Sequence, residues 1–92
     1  MGFIDVKNKK GTGEHPPPAG CTSWLGFWER EKGKKAVGCE VLHCGGPADV
    51  GGHVVKAGEG PKEYILPMCD ACNGKPEHEV FKAWESDLVA VR

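Results

Sequence analysis

Cys39-Glu-Val-Leu-His43-Cys44, then Gly51-Gly52-His53-Val54-Val55, then Leu66-Pro67-Met68-Cys69-Asp-Ala-Cys72-Asn-Gly-Lys75 is the stretch whose reading decides the fold. Two cysteine pairs flank a hairpin-like run, Cys39-x4-Cys44 before it and Cys69-x-x-Cys72 after it. A tetrahedral ion needs two short chelating loops brought together, and four soft, anionic thiolates suit zinc. The expected site is therefore one structural Zn2+ per chain, held by Cys39, Cys44, Cys69 and Cys72. His43 adjoins Cys44 and His53 lies between the pairs, so either imidazole is an alternative ligand in place of Cys44 or Cys39.

Working outward, Gly45-Gly46-Pro47 supplies the turn that a cysteine knuckle needs. Residues 53–57 and 63–67 are β-rich runs around Gly58-Glu59-Gly60-Pro61, the pattern of a hairpin. Pairing Ala57 with Lys62 places Val55 opposite Tyr64, Val54 opposite Ile65 and His53 beside Leu66. Before the knuckle, Trp24, Leu25, Phe27 and Trp28 share one face of a helix that starts at Thr22 or Ser23 and ends at Gly33. That face serves either as cover for a small core or as a partner's hot spot, and the shortage of other large side chains favours the core. After Cys72, Val80, Phe81 and Trp84 place a second helix over residues 77–86, with a turn or strand as the alternative around Phe81, and a short strand over 87–92.

Residues 1–20 read as a tail. The apolar trace Phe3, Ile4, Val6 gives way to a Lys/Gly-rich tract and Pro16-Pro17-Pro18, which bury too little apolar surface to offset their ordering entropy. One zinc-binding domain is then expected over 21–92, with a core of Trp24, Phe27, Trp28, Val54, Ile65, Leu66, Phe81, Trp84 and Val89. A domain of roughly seventy residues has only about 3–5 kcal/mol to draw from its core, so a metal staple is in keeping with its size.

The 92 residues carry 12 basic and 13 acidic side chains, a formal charge of -1, which is not the balance of a wholly basic nucleic-acid-binding domain. Lys7, Lys9, Lys10, Arg30, Lys32, Lys34 and Lys35 nevertheless crowd the first third of the chain and are a candidate local basic face. Five cysteines are an odd number, and no apolar export signal follows Met1, so a reducing compartment such as the cytoplasm is expected. Two disulfides and a redox-active Cys69-x-x-Cys72 are the competing readings of the thiols; the odd count and the small scaffold weigh against them. Cys21 reads as a small buried group or a free thiol, and His15 and His78 as exposed. Neither a membrane nor a small-molecule substrate is indicated, and a monomer is expected.

The run from Cys-x4-Cys through Gly-Gly-His-Val to Leu-Pro-Met-Cys-x-x-Cys-Asn-x-Lys resembles the treble-clef zinc finger, and within it the zinc-bearing members of the HNH endonuclease superfamily. The resemblance covers residues 39–84 and implies an α+β fold of zinc knuckle, β-hairpin and C-terminal helix, here with an added N-terminal aromatic helix. It further implies that His53 acts as general base, beside a separate divalent ion that stabilises the leaving oxygen. The sequence departs from the nuclease pattern where Gly52 replaces the acidic residue or histidine before the base and Glu63 the usual asparagine; Glu77 or His78 would be the second-metal ligand. The expected function is accordingly a structural-zinc module for protein or nucleic-acid interaction without catalysis. The alternative is an HNH-type metal-dependent endonuclease with His53 as its base.

Overall fold

Alternation in the first few residues has a structural meaning that the polar tract behind them conceals. The computed structural model describes residues 2–9 and 16–91, and in it Phe3–Asn8 form strand β1. The remaining strands are β2 (Val50–Lys56), β3 (Glu63–Met68), β4 (Phe81–Trp84) and β5 (Val89–Ala90). They make one sheet in the order β4-β1-β2-β3-β5, with every neighbouring pair antiparallel. Helix α1 (Trp24–Lys32) and the single turn of α2 (Asp70–Asn73) complete a small α+β architecture among the described residues. Neither helix is long and apolar enough to cross a membrane.

The expected tail over residues 1–20 is thus corrected at 3–8. Val6 lies opposite Lys56 on one side and Phe81 on the other, and is fully buried. A strand interior to a sheet needs only one apolar face, and Ile4, Val6 and Asn8 supply it. Part of the tract that suggested a tail, residues 10–15 with His15, lies outside the described residues, and residues 16–20 beyond it form no helix or strand.

The helix expected over 77–86 is also corrected: Phe81–Trp84 form β4, which pairs with β1 along its whole length. Phe81 and Ala83 point into the core while Lys82 and Trp84 point out, a period of two that the helical reading of Val80, Phe81 and Trp84 overlooked. Trp84 therefore leaves the expected core, being 38% exposed, and Trp24 and Val89 are only half-buried; the other six expected core residues are buried. The final strand shrinks to Val89–Ala90. The hairpin register differs from expectation by one residue: His53 faces Ile65, Val54 faces Tyr64 and Val55 faces Glu63. Gly58 and Gly60 both adopt left-handed torsions (φ 79° and 88°), so the turn takes up one more residue than a four-residue loop.

Local signals behave as read at α1. Ser23 Oγ accepts the Gly26 N–H at 3.0 Å, and Gly33, at φ 70°, donates its N–H to Glu29 O at 2.9 Å. Phe27 and Trp28 bury against Ile65, and Trp28 Nε1 donates to Asp87 O at 2.7 Å. Gly51 makes this packing possible, because a Cβ there would stand 2.5 Å from Leu25 N. The other sheet face gathers Val6, Val41, Val54, Leu66, Met68, Phe81 and Ala83 with three of the cysteines.

β1 also sets α2. Asn8 is 3% exposed, and its Nδ2 donates to the carbonyls of Cys72 (2.9 Å), Lys75 (3.1 Å) and Asn73 (3.3 Å), filling acceptors that the end of a helical turn leaves open. Asn8→Ala strands those carbonyls and should lower stability by about 1–3 kcal/mol. Urea unfolding of metal-loaded protein measures this; an unchanged midpoint and slope would remove Asn8 from the account.

Candidate metal centre

Two short loops build the site. In the first, Cys39 N–H donates to Gly46 O and Cys44 N–H to Val41 O, both at 3.0 Å, so residues 39–46 close on themselves. His43 turns that loop with a φ of 68°, a torsion uncommon outside glycine. The loop is fastened to the sheet at two places. Glu40 N–H donates to Pro67 O at 2.9 Å, and Val41 bridges Ala83 while Leu42 N–H donates to Lys82 O at 2.9 Å. In the second loop β3 runs straight into α2, with Cys69 as its N-cap; the Cys69 sulfur accepts the Cys72 N–H at 3.4 Å, and Asp49 Oδ2 accepts the Asp70 N–H at 3.1 Å.

These loops bring the Sγ atoms of Cys39, Cys44, Cys69 and Cys72 within 4.8 Å of one another. A tetrahedron with metal–sulfur bonds near 2.3 Å has edges of about 3.8 Å. Cys44 and Cys69, from different loops, stand 3.8 Å apart. That spacing suits sulfurs sharing an ion and is far from the ~2.05 Å of a disulfide; all five cysteines are free thiols. Gly46 lies against the cluster, where a Cβ would come within 3.5 Å of both the Cys44 and Cys69 sulfurs.

The thiols differ in acidity. The Cys72 N–H directed at its sulfur pulls Cys69 below the ordinary thiol range, whereas burial pushes Cys39 and Cys72 above it. One sulfur is eased toward the thiolate and two are held back from it, so metal uptake displaces protons and weakens as pH falls. The donor set and its spacing fit a four-coordinate metal ion.

The histidines lie elsewhere. His43 is exposed on the knuckle, and Cys21 is half-buried beside α1, neither belonging to the four-sulfur group. His53 is 6% exposed, its ring set edge-on to Trp24 with centroids 4.7 Å apart. Strand alternation puts it on the α1 face of the sheet, opposite the sulfurs. Gly52 takes the metal-side position, where a Cβ would stand 2.4 Å from Met68 Sδ and 2.8 Å from Asn73 Oδ1. No acidic side chain fits there. Glu77 and His78 are exposed and line a cleft with Lys7, Asn8 and Lys9. Asn8 is a supporting residue that reading the sequence missed, and the available signal for it was the alternation of Ile4, Val6 and Asn8.

Glu40, inside the knuckle, has a carboxyl held above the ordinary range, first by burial and then by Asp87; Lys34 and Lys32 oppose this weakly. A raised folded-state pKa means that the native chain binds this proton more tightly than the unfolded one. Stability is then lost as pH climbs through that window. Glu40→Gln should raise the melting temperature at neutral pH, with a gain that shrinks as pH approaches the ordinary carboxylate value. Melting curves at matched metal content test this, and a gain independent of pH would contradict it.

No protein-family model matches the chain, and neither the curated proteins nor the solved structures contain a match to it.

Proposed function

We propose that this chain is a zinc-stapled interaction module of the treble-clef type, which binds a protein or nucleic-acid partner without catalysing a reaction. The reading is carried by the four-sulfur group, whose members all lie within 4.8 Å. Zinc is the ion that best suits four thiolates in a closed tetrahedral site with no open position for water. What supports the treble-clef likeness is the order of parts: a cysteine loop, an antiparallel hairpin, then a second cysteine pair at the first turn of a helix. That helix is only four residues long, shorter than the resemblance implies.

His53 weighs against the nuclease alternative. A general base must reach a water next to the scissile bond, and this imidazole is buried beneath Trp24 with glycine, not a carboxylate, beside it. A role in packing between β2 and α1 accounts for it.

Metal analysis of protein purified under reducing conditions should give one zinc per chain and one titratable thiol, that of Cys21. Exhaustive chelation should unfold the chain, because apparent zinc-binding energies of about 10–16 kcal/mol exceed what so small a core supplies. Cys72→Ser should lower zinc content sharply, while His53→Ala should leave it intact. Full native structure after chelation would refute the staple, and Mg2+-dependent nicking of plasmid DNA abolished by His53→Ala would refute the non-catalytic reading.

A further inference from the structure

We infer that Cys44 and Cys69 are a redox pair: a hydroperoxide joins them in a disulfide, which expels the metal ion while keeping the two loops tied. This rests on the zinc-staple reading above and names how that site is regulated. The four sulfur-bearing residues are not equally shielded. Cys39, Cys69 and Cys72 are 9%, 8% and 6% exposed, whereas Cys44 alone is half-buried. It stands between His43 and Gly45, both exposed. The chain that follows it carries no side chains to cover the cluster. A Cβ on Gly45 would stand in open space, and one on Gly46 would lie 3.5 Å from the Cys44 and Cys69 sulfurs alike. A small oxidant therefore meets Cys44 first, and a sulfur of the other loop stands 3.8 Å from it.

The thiolate is both the metal-bound and the nucleophilic form of cysteine. The Cys44 sulfur attacks one oxygen of hydrogen peroxide, the O–O bond breaks, and a sulfenic acid and a hydroxide result. The Cys69 sulfur then attacks the Cys44 sulfur, the S–O bond breaks, a second hydroxide leaves and the S–S bond forms. Solvent protons turn both hydroxides into water, so two electrons pass from the two sulfurs to the peroxide. From 3.8 Å, each sulfur moves by about 0.9 Å to reach the ~2.05 Å of a disulfide. A bond within Cys69-x-x-Cys72 would instead need one of two buried sulfurs to meet the oxidant first. With two of its four ligands gone the site no longer holds its ion, and Cys39 and Cys72 take up protons and remain as thiols in the apolar cluster. The new bond spans the gap that the ion spanned, so the knuckle stays joined to the turn where β3 becomes α2.

The test uses zinc-loaded, full-length Cys21→Ser protein, in which the fifth thiol no longer competes. Hydrogen peroxide is added, zinc release is followed with 4-(2-pyridylazo)resorcinol, and the remaining thiols are blocked. Mass spectrometry after cleavage at Glu40 and Asp70, which lie between the two cysteines of each pair, then assigns the linkage. One zinc per chain should be released, with a Cys44–Cys69 cross-link and free thiols at Cys39 and Cys72. Far-UV circular dichroism should stay native, in contrast to reduced protein stripped by a chelator, and dithiothreitol with zinc should restore the starting state. Cys44→His keeps a fourth ligand without a thiol and should release zinc at least about tenfold more slowly, whereas Cys39→His should release it at the parent rate.

Any other pairing of the four cysteines would overturn the inference. So would zinc retained under peroxide that oxidises Cys21 in the unsubstituted chain, or loss of native structure once the disulfide has formed. If a histidine variant fails to take up zinc, the linkage found in the parent protein decides alone. Each of these failures in protein of full initial zinc content leaves the zinc staple standing. Protein isolated without zinc would overturn the staple, and this inference with it.

Discussion

Four thiols meeting within the span of a single ion join two loops that are tied to the sheet at different points. One loop hangs between the end of β3 and the edge of β4; the other is the turn where β3 becomes α2. An ion gripping both closes a circuit through the hydrophobic face of the sheet, because Val41, Met68, Phe81 and Ala83 pack around the sulfurs. Unequal acidity follows from the same geometry: the sulfur facing a peptide N–H is eased toward the thiolate, and the sulfurs facing apolar neighbours are held protonated until a cation arrives.

The sheet keeps two jobs apart. Its metal side needs a position at residue 52 with no side chain, since Met68 and Asn73 already fill that space, and its helix side needs the same at residue 51 so that the backbone of α1 can approach. Consecutive glycines satisfy both demands because adjacent strand residues point to opposite faces. His53, next along, is thereby committed to the α1 side. A histidine that looks close to the metal in sequence is sent away from it by strand parity alone.

β1 ties the arrangement together. It fills the gap between β2 and β4, buries Val6 completely, and uses a buried amide to hold the carbonyls at the end of α2. Its inward residues serve the metal face while its outward residues, with those of β4, leave aromatic rings and lysines at the surface. The knuckle partly covers the far edge of β4 through Val41 and Leu42, which protects an edge strand that would otherwise present unpaired backbone groups.

What could be read from the sequence was chemistry and local stereochemistry. Thiolates in two chelating pairs announce a metal wherever they lie, and Ser23 and Gly33 mark the ends of α1 through bonds made within the helix itself. The hairpin was legible too, as two β-rich runs joined by glycines, though not its register, which depended on how many residues the turn would absorb. Tertiary structure decided the rest. β1 and β4 come from opposite ends of the chain, and each is a strand because the other offers an edge; neither run is long or apolar enough to declare itself alone. The exposure of Trp84, the anchoring role of Asn8 and the withdrawal of His53 from the metal all follow from which face of the sheet each occupies, and a face exists only once the strands have paired.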